Sequence, residues 1–341
     1  MTRLLQVMAG AEHGGAEAFF ERLAIALQRA GQEQRVVIRP YAARVAALRR
    51  AGIAVDTLPF GGWLDFKTKS GLKKIIAEYQ PKAVLTWMNR ATRLCPRGDF
   101  VHVARLGGYY DLKHYRGCDH LVANTRGIAD YLVAQGWARE CVHYLPNFPQ
   151  TEIGKTLPRA QFLTPENVKL ALALGRLHPA KGFDVLLDAL AKAPGIFLWL
   201  AGDGPERGAL EQRAQNLGLL DRVRFLGWRD DAPSLLASCD FLVSSSRREP
   251  LGNTVIEAWA ARKPVLATDT DGPSELIAPG ETGLLVPAGE VDALAQDLAR
   301  LASDADLCTR LAHAGHAQYE AQFSAGRVVE AYREFLGRIA A

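Results

Sequence analysis

Residues 168–204 read VKLALALGRLHPAKGFDVLLDALAKAPGIFLWLAGDG. The first apolar run, VKLALAL, has the length and composition of a buried strand and stops at Gly175. FDVLLDALAKA then repeats its apolar residues at helical spacing, and IFLWLA is a second apolar run that ends in Gly202-Asp203-Gly204. A strand, a turn, a helix and another strand in under forty residues make a βαβ unit, in which the two strands lie parallel and are buried on both faces.

The same alternation extends in both directions. Towards the C-terminus it continues through a helix closing at Gly218, RVRFLGW (222–228), SLLASCDFLVSSS (234–246), the helix TVIEAWAARK (254–263), PVLATDT (264–270), GLLVP (283–287) and terminal helices. Towards the N-terminus it holds in RLLQVMA (3–9), a helix ended by Gly31, QRVVI (34–38), a second helix, AVDTLPF (54–60), the helix GLKKIIAEYQ (71–80), KAVLTWM (82–88), FVHVARL (100–106), DHLVANT (119–125) and VHYLPNF (142–148). Between the halves, Pro146, Pro149 and Pro158 crowd a stretch without periodicity, which reads as a linker. The expectation is an α/β protein with two domains, 1–147 and 148–316, and a last segment, 317–341, that crosses back to the first. Ligands of such sheets bind beyond the C-terminal ends of the strands, here facing a central cleft.

Composition narrows the class further. A chain of 341 residues, 48% hydrophobic and 23% charged, has ample material for two packed cores. Cys95, Cys118, Cys141, Cys239 and Cys308 are odd in number and scattered. No CxxC or Cys/His spacing occurs, so neither a disulfide framework nor a structural zinc is expected. No apolar run is long enough for a membrane span, and Glu12 and His13 interrupt the N-terminal one, which reads as a strand and not a signal peptide. A cytoplasmic protein is expected. The net charge of +4 divides unevenly: residues 1–147 carry 21 Lys and Arg against 12 Asp and Glu, whereas 148–341 carry 20 against 25. A basic first half suits an anionic partner; the plainer reading is an uneven, solvated surface.

Three loops hold residues with chemistry to offer. His13-Gly14-Gly15-Ala16-Glu17 joins the first strand to the first helix, where paired glycines admit a close ligand and the helix N-terminus favours an anion. Taken alone this is a tight turn, and it is not a dinucleotide GxGxxG. Gly175-Arg176-Leu177-His178-Pro179-Ala180-Lys181-Gly182 places two cations at a strand's C-terminal edge. Arg offers a bidentate fork and Lys a point charge, which together suit a diphosphate; two solvated surface cations are the plain alternative. Glu249-Pro250-Leu251-Gly252-Asn253-Thr254-Val255-Ile256-Glu257 sets one carboxylate in a loop and another in the following helix, with backbone N–H groups between. Carboxylates accept from vicinal hydroxyls while a helix N-terminus cradles phosphate, so a ligand bearing both fits.

With these loops in view, the second half resembles the donor-binding domain of family four of the retaining glycosyltransferases, the group 1 type with the GT-B fold of two Rossmann-like domains. The matching segments are GRLHPAKGFDVLLDAL, LAGDGPERGAL, RVRFLGW, the run from Leu235 to Asp269, and SELIAPGETGLLVPAG, in the family's order. The first half matches through GGAE, DHLVANT and YLPN. The resemblance implies a UDP- or GDP-linked sugar as donor, no cofactor and no metal. By matching position, Arg176 and Lys181 would hold the diphosphate, Glu257 the ribose hydroxyls, and Glu249 the transferred sugar as the catalytic contact. Amides of Leu251, Gly252, Asn253 and Thr254 would meet sugar hydroxyls and phosphate. Gly202, Trp228 and Arg229 would surround the base, and Gly15 would lie in a loop closing on the phosphates. The implied acceptor is a glycan or glycolipid of lipopolysaccharide or another cell-surface polysaccharide, and a nucleic-acid partner is not expected.

Some features depart from the family or from simple motif reading. Where the family often carries a histidine after the strand FVHVARL, this chain has Gly107-Gly108-Tyr109, so no catalytic histidine is assigned; His102 and His114 read as core or surface residues. Asp269-Thr270-Asp271 spells a metal-binding DxD but ends a strand at a position unrelated to metal in the family. Trp63–Ile76 mixes aromatic, apolar and Lys residues at a helix start, which suits peripheral docking on the anionic inner face of the cytoplasmic membrane or, equally, a solvated amphipathic helix. Two rival functions remain open at this level: a sugar-nucleotide epimerase or hydrolase on the same fold, and a non-catalytic two-lobe binding protein.

Overall fold

The computed structural model describes residues 2–12, 14–61, 65–150 and 154–340. It divides into two compact units, Met1–Phe148 with Ala325–Ala341, and Pro149–Ser324.

Unit 1 is built on a seven-stranded sheet of β1 (Leu4–Met8), β2 (Gln34–Ile38), β3 (Ala54–Thr57), β4 (Ala83–Trp87), β5 (Val101–Leu106), β6 (His120–Ala123) and β7 (Val142–Tyr144). Its order is β3-β2-β1-β4-β5-β6-β7, and all pairs are parallel. β1 and β4 are buried at every residue, which is why their sequences are mostly apolar and not alternating, with Gln6 and Thr86 as the buried polar exceptions. Unit 2 repeats the plan with β8 (Lys169–Leu174), β9 (Ile196–Ala201), β10 (Val223–Gly227), β11 (Phe241–Ser244), β12 (Val265–Thr268) and β13 (Leu284–Val286) in the order β10-β9-β8-β11-β12-β13, again all parallel. Both orders are doubly wound. The direction of winding reverses between β1 and β4 and between β8 and β11, and at such switch points the loops leaving neighbouring strands diverge to leave a crevice.

The return to unit 1 falls later than the expected residue 317. The helix Ala305–Gln318 continues into a π turn, Tyr319–Phe323, and both Tyr319 and Phe323 are buried in the core of unit 2 with Trp259. The chain breaks at Ser324, and the helix Ala325–Ile339 buries Val328, Val329, Tyr332, Phe335 and Leu336 in the core of unit 1. Arg105 on β5 secures that helix. Its buried guanidinium lies between the rings of Phe19 and Trp87, at 4.7 and 4.6 Å, and its Nε donates to Tyr332 Oη at 3.0 Å while a second nitrogen donates to Asn147 Oδ1.

All five cysteines are free, and burial pushes the thiols of Cys95, Cys118 and Cys239 up to about 12, as small apolar core residues require. Among the described residues no helix is long and apolar enough to cross a membrane.

Candidate functional site

In unit 2 the switch point lies between β8 and β11, and the two loops leaving these strands carry the residues singled out above. After β8 the chain crosses Gly175–Gly182 to the helix Phe183–Lys192; after β11 it crosses Ser245–Gly252 to the helix Asn253–Ala260. The loops are sewn together. Ser245 Oγ donates to the carbonyl of Lys181 at 3.1 Å, and the amides of Arg247 and Arg248 donate to the carbonyl of Ala180 at 2.8 and 3.1 Å. Arg247 clasps Asp184 with two bonds of 2.7 and 2.6 Å. Gly182 sits where they touch: its φ is +61°, and a Cβ there would lie 2.1 Å from the carbonyl oxygen of Ser245.

At the centre Lys181 Nζ donates to Glu249 Oε2 at 2.5 Å. The other oxygen, Oε1, accepts from the amides of Gly252 and Leu251 at 3.2 and 3.4 Å. Glu249 is thus held on three sides, and its own carbonyl accepts from Gly272 N at 2.7 Å. The lysine expected to meet a ligand's charge and the glutamate expected to meet its hydroxyls are each other's partners, and two of the four amides assigned to a ligand already serve Glu249. Arg176, in contrast, is exposed and makes no side-chain hydrogen bond or ion pair among the described residues. Glu257 lies half-buried in the second turn of Asn253–Ala260, and Asn253 and Thr254 form its first.

Gly202 shows why the third loop joins the first. With φ +147°, it would place a Cβ 1.8 Å from the carbonyl oxygen of Gly175, so only glycine lets these backbones pass. Gly175 N donates to Ala201 O and Gly202 N to Gly227 O, at 3.0 and 2.8 Å, which draws the β10 loop in as well. Trp228 follows with 76% of its surface exposed. Arg229 is not available in the same way: it binds Asp231 with bonds of 2.8 and 2.5 Å and lies over the Phe162 ring.

In unit 1 the first loop surrounds a buried carboxylate. Glu17 Oε1 accepts from Ala11 N at 2.8 Å, and the backbones of Gly10 and Gly14 lie so close that a Cβ on either would fall within 2.4 Å of a Glu17 oxygen. Arg44 holds the loop from the other side, donating to the carbonyls of Ala11 and Glu12 at 3.0 and 2.6 Å. Gly15 opens to free space, since a Cβ there would meet nothing within 4 Å. His13 lies outside the described residues, as do Trp63 and Leu64 of the membrane-facing candidate.

His102 is a core residue: its Nε2 lies 3.0 Å from Thr86 Oγ1, and burial lowers its pKa to about 4. Asp269 of the DxD sequence is occupied, its Oδ1 accepting from Ala288 N at 3.0 Å. Sequence reading missed Ser245, Arg247 and Asp184, because the spacing of 63 residues between the last two carries no local signal.

Comparison with known proteins decides the family. The model of "Glycosyl transferases group 1" matches residues 155–318. The lipopolysaccharide core biosynthesis glycosyltransferase LpsE of Rhizobium meliloti is 37% identical over 95% of this chain and 96% of its own length. The chain belongs to the group 1 glycosyl transferases. A second relative of this transferase, LpsD of the same organism, is 33% identical over 98% of each chain. Among solved structures, Anabaena HepE in complex with UDP and glucose superposes with a TM-score of 0.82 at 24% identity, covering 99% of this chain and 100% of that one. A Rickettsia africae glycosyltransferase gives 0.87 at 21% identity, covering 99% and 98%. The transferase has the GT-B fold, with one parallel sheet in each of its two units.

Proposed function

We propose that the protein transfers a hexose, with retention of anomeric configuration and without a metal, from a UDP- or GDP-linked donor held by unit 2 to a glycan acceptor of the lipopolysaccharide core type held by unit 1. The observation that carries this reading is the Lys181–Glu249 cluster at the β8/β11 switch point, with unpaired Arg176 on the same loop. Its support from relatives is the near full-length similarity to LpsE and LpsD, both described as acting in lipopolysaccharide core biosynthesis, and the likeness in fold to HepE, solved with UDP.

In this proposal the donor's diphosphate accepts from Arg176 and draws Lys181 away from Glu249. The freed carboxylate of Glu249 then accepts from hydroxyls of the sugar, while Glu257 accepts from the ribose diol. The amides of Asn253 and Thr254, at the start of the helix Asn253–Ala260, face phosphate oxygen, while those of Val255 and Ile256 already donate to the carbonyl of Gly252. Trp228 and the backbone around Gly202 flank the base, while Arg229 shapes that loop through Asp231. As the glycosidic bond breaks, negative charge grows on the diphosphate, and Arg176 and Lys181 stabilise it. That is the largest contribution this site has to offer. The departing phosphate oxygen takes the acceptor proton on the same face, which gives retention.

Cytoplasmic placement with peripheral docking through unit 1 is also proposed. In the helix Phe66–Tyr79, Thr68, Leu72 and Ile75 are buried, while Phe66 is 71% exposed beside exposed Lys67, Lys69, Lys73 and Lys74. Flotation with anionic liposomes at low salt tests this, and a protein left at the bottom of the gradient refutes it.

The transfer itself is tested by incubating the protein with UDP- and GDP-hexoses and a truncated core oligosaccharide, with and without EDTA, and reading the anomeric proton of the product by NMR. An α-linked product from an α-linked donor in EDTA is expected. Free sugar or an epimer formed without acceptor would favour the hydrolase or epimerase reading, and inversion would refute the mechanism.

A further inference from the structure

Unit 1 has a second concave region, at the N-terminal ends of β5 and β6 and so at the end of the sheet away from the Gly10–Gly15 loop. A cavity of about 590 Å³ opens there between the helix Met88–Leu94 and the segment 113–119. Arg93, Arg97, Lys113 and Arg116 line it, all exposed, with His114 beside them. The one acid in the lining is Asp119, and its Oδ2 already accepts from the amide of His102 at 2.7 Å.

Lone arginines are common among the described residues, Arg29, Arg50, Arg248 and Arg310 being examples, and what sets this group apart is that its members share one cavity. Arg35, Arg139, Arg207, Arg213, Arg247 and Arg300 each meet a carboxylate at 3.0 Å or closer. Around this cavity Lys113 is paired, 2.8 Å from Asp111, but Arg93, Arg97 and Arg116 make no ion pair or side-chain hydrogen bond among the described residues. Three unpaired guanidinium groups around one cavity repel each other unless an anion joins them. Guanidinium forks match the oxygens of a phosphate monoester, which can take two such forks at once. Burial keeps His102 neutral above a pH of about 4, so the one opposing charge in the lining is the carboxylate of Asp119 against three guanidinium groups.

Lys113 and Arg116 also line an adjoining cavity of about 490 Å³, which reaches the half-buried indole of Trp137 beside Gln135 and Ala138. An aromatic face beside a polar amide suits the apolar face and hydroxyl edge of a pyranose. We propose that the two cavities together form a binding site for a phosphorylated sugar, with the phosphate among Arg93, Arg97 and Arg116 and the ring against Trp137. The assignment rests on unit 1 alone and does not depend on where the nucleotide binds.

Titration calorimetry on the full chain at low salt tests it, with glucose 6-phosphate, inorganic phosphate and glucose as probes. Glucose 6-phosphate should bind saturably, inorganic phosphate more weakly and glucose not measurably. The double variant Arg93→Ala/Arg97→Ala should weaken glucose 6-phosphate by about tenfold or more. Trp137→Leu should lower its affinity to that of inorganic phosphate. These arginines are exposed, so the double variant should melt with the wild type, and Lys181→Ala, in unit 2, should bind glucose 6-phosphate unchanged. Loss of binding in Lys181→Ala with retention in the arginine variant would overturn the assignment, as would equal affinity for inorganic phosphate and the sugar phosphate. Arginine-dependent binding to phosphatidylglycerol vesicles, with none to glucose 6-phosphate, would overturn it too and give the cations to lipid headgroups.

Discussion

Because Lys181 and Glu249 hold each other at 2.5 Å, they should respond to mutation with opposite signs in nucleotide affinity. Their side chains are 26% and 12% exposed, between the surface pairs worth at most about 1 kcal/mol and the buried pairs whose rupture costs about 3–5. A value of about 1 kcal/mol for opening the pair is reasonable at this exposure. A lysine–phosphate contact returns about 2–3 kcal/mol. Lys181→Ala loses that contact but no longer has a pair to open, so UDP or GDP should bind about tenfold more weakly. Glu249→Gln keeps the shape and frees the lysine in advance, so the nucleotide should bind about fivefold more tightly while turnover falls, because the sugar loses a charged acceptor. In Lys181→Ala/Glu249→Gln the glutamine change should have no effect on binding, the sign of strong coupling. Calorimetry on the four proteins completes the cycle. Weaker nucleotide binding in Glu249→Gln, or strictly additive effects, would refute the idea that the diphosphate takes over the lysine.

Other consequences follow from the packing. Gly202→Ala should destabilise unit 2 by about 3 kcal/mol or more, since neither its φ nor the Gly175 carbonyl 1.8 Å from the new Cβ tolerates a side chain; a urea midpoint near that of the wild type would contradict this. Tyr332→Phe should cost about 2 kcal/mol in urea unfolding, because Arg105 Nε loses its buried acceptor. His102 is neutral when folded, with its pKa lowered to about 4, whereas the unfolded chain takes up the proton near 6.5. The unfolded state therefore binds more protons between these values, and stability should fall as pH drops from 7 to 5, by about 2 kcal/mol from this residue. His102→Gln should make the fall of the melting temperature over that range less steep, with His143, which burial also lowers to about 4, keeping part of it; an unchanged slope would remove His102 from the account.

The fold was legible because its strands are buried on both faces. LALAL, IFLWLA and KAVLTW declare themselves as apolar runs wherever a parallel sheet covers both sides, and glycines mark the ends of the strands that approach the ligand site. The helix Met88–Leu94 was not legible: MNRATRL has no apolar stripe, and it starts directly from β4 with Met88 at φ +60°. Nor was the break at Ser324, where helical periodicity runs on while the burial of Tyr319 and Phe323 passes to Val328 and Tyr332 in the other unit. At the site, residue types and loop positions could be read from sequence, since Arg176, Lys181 and Glu249 lie in loops that leave strand ends and Glu257 in the second turn of the helix that follows. Their pairing could not. Lys181 with Glu249, Asp184 with Arg247 and Gly202 with Gly175 are contacts between loops, set by strand order and not by spacing along the chain.

The most direct test of the central claim is a thermal-shift panel of UDP, GDP, ADP and their sugars on the wild type and on Glu257→Ala. At a hundred times its dissociation constant a ligand adds about 2.7 kcal/mol, enough to raise the melting temperature by several degrees. The account predicts such a rise with one base, reduced or lost in Glu257→Ala. No rise with any nucleotide, or the same rise in the variant, would contradict the assignment of the donor to these loops.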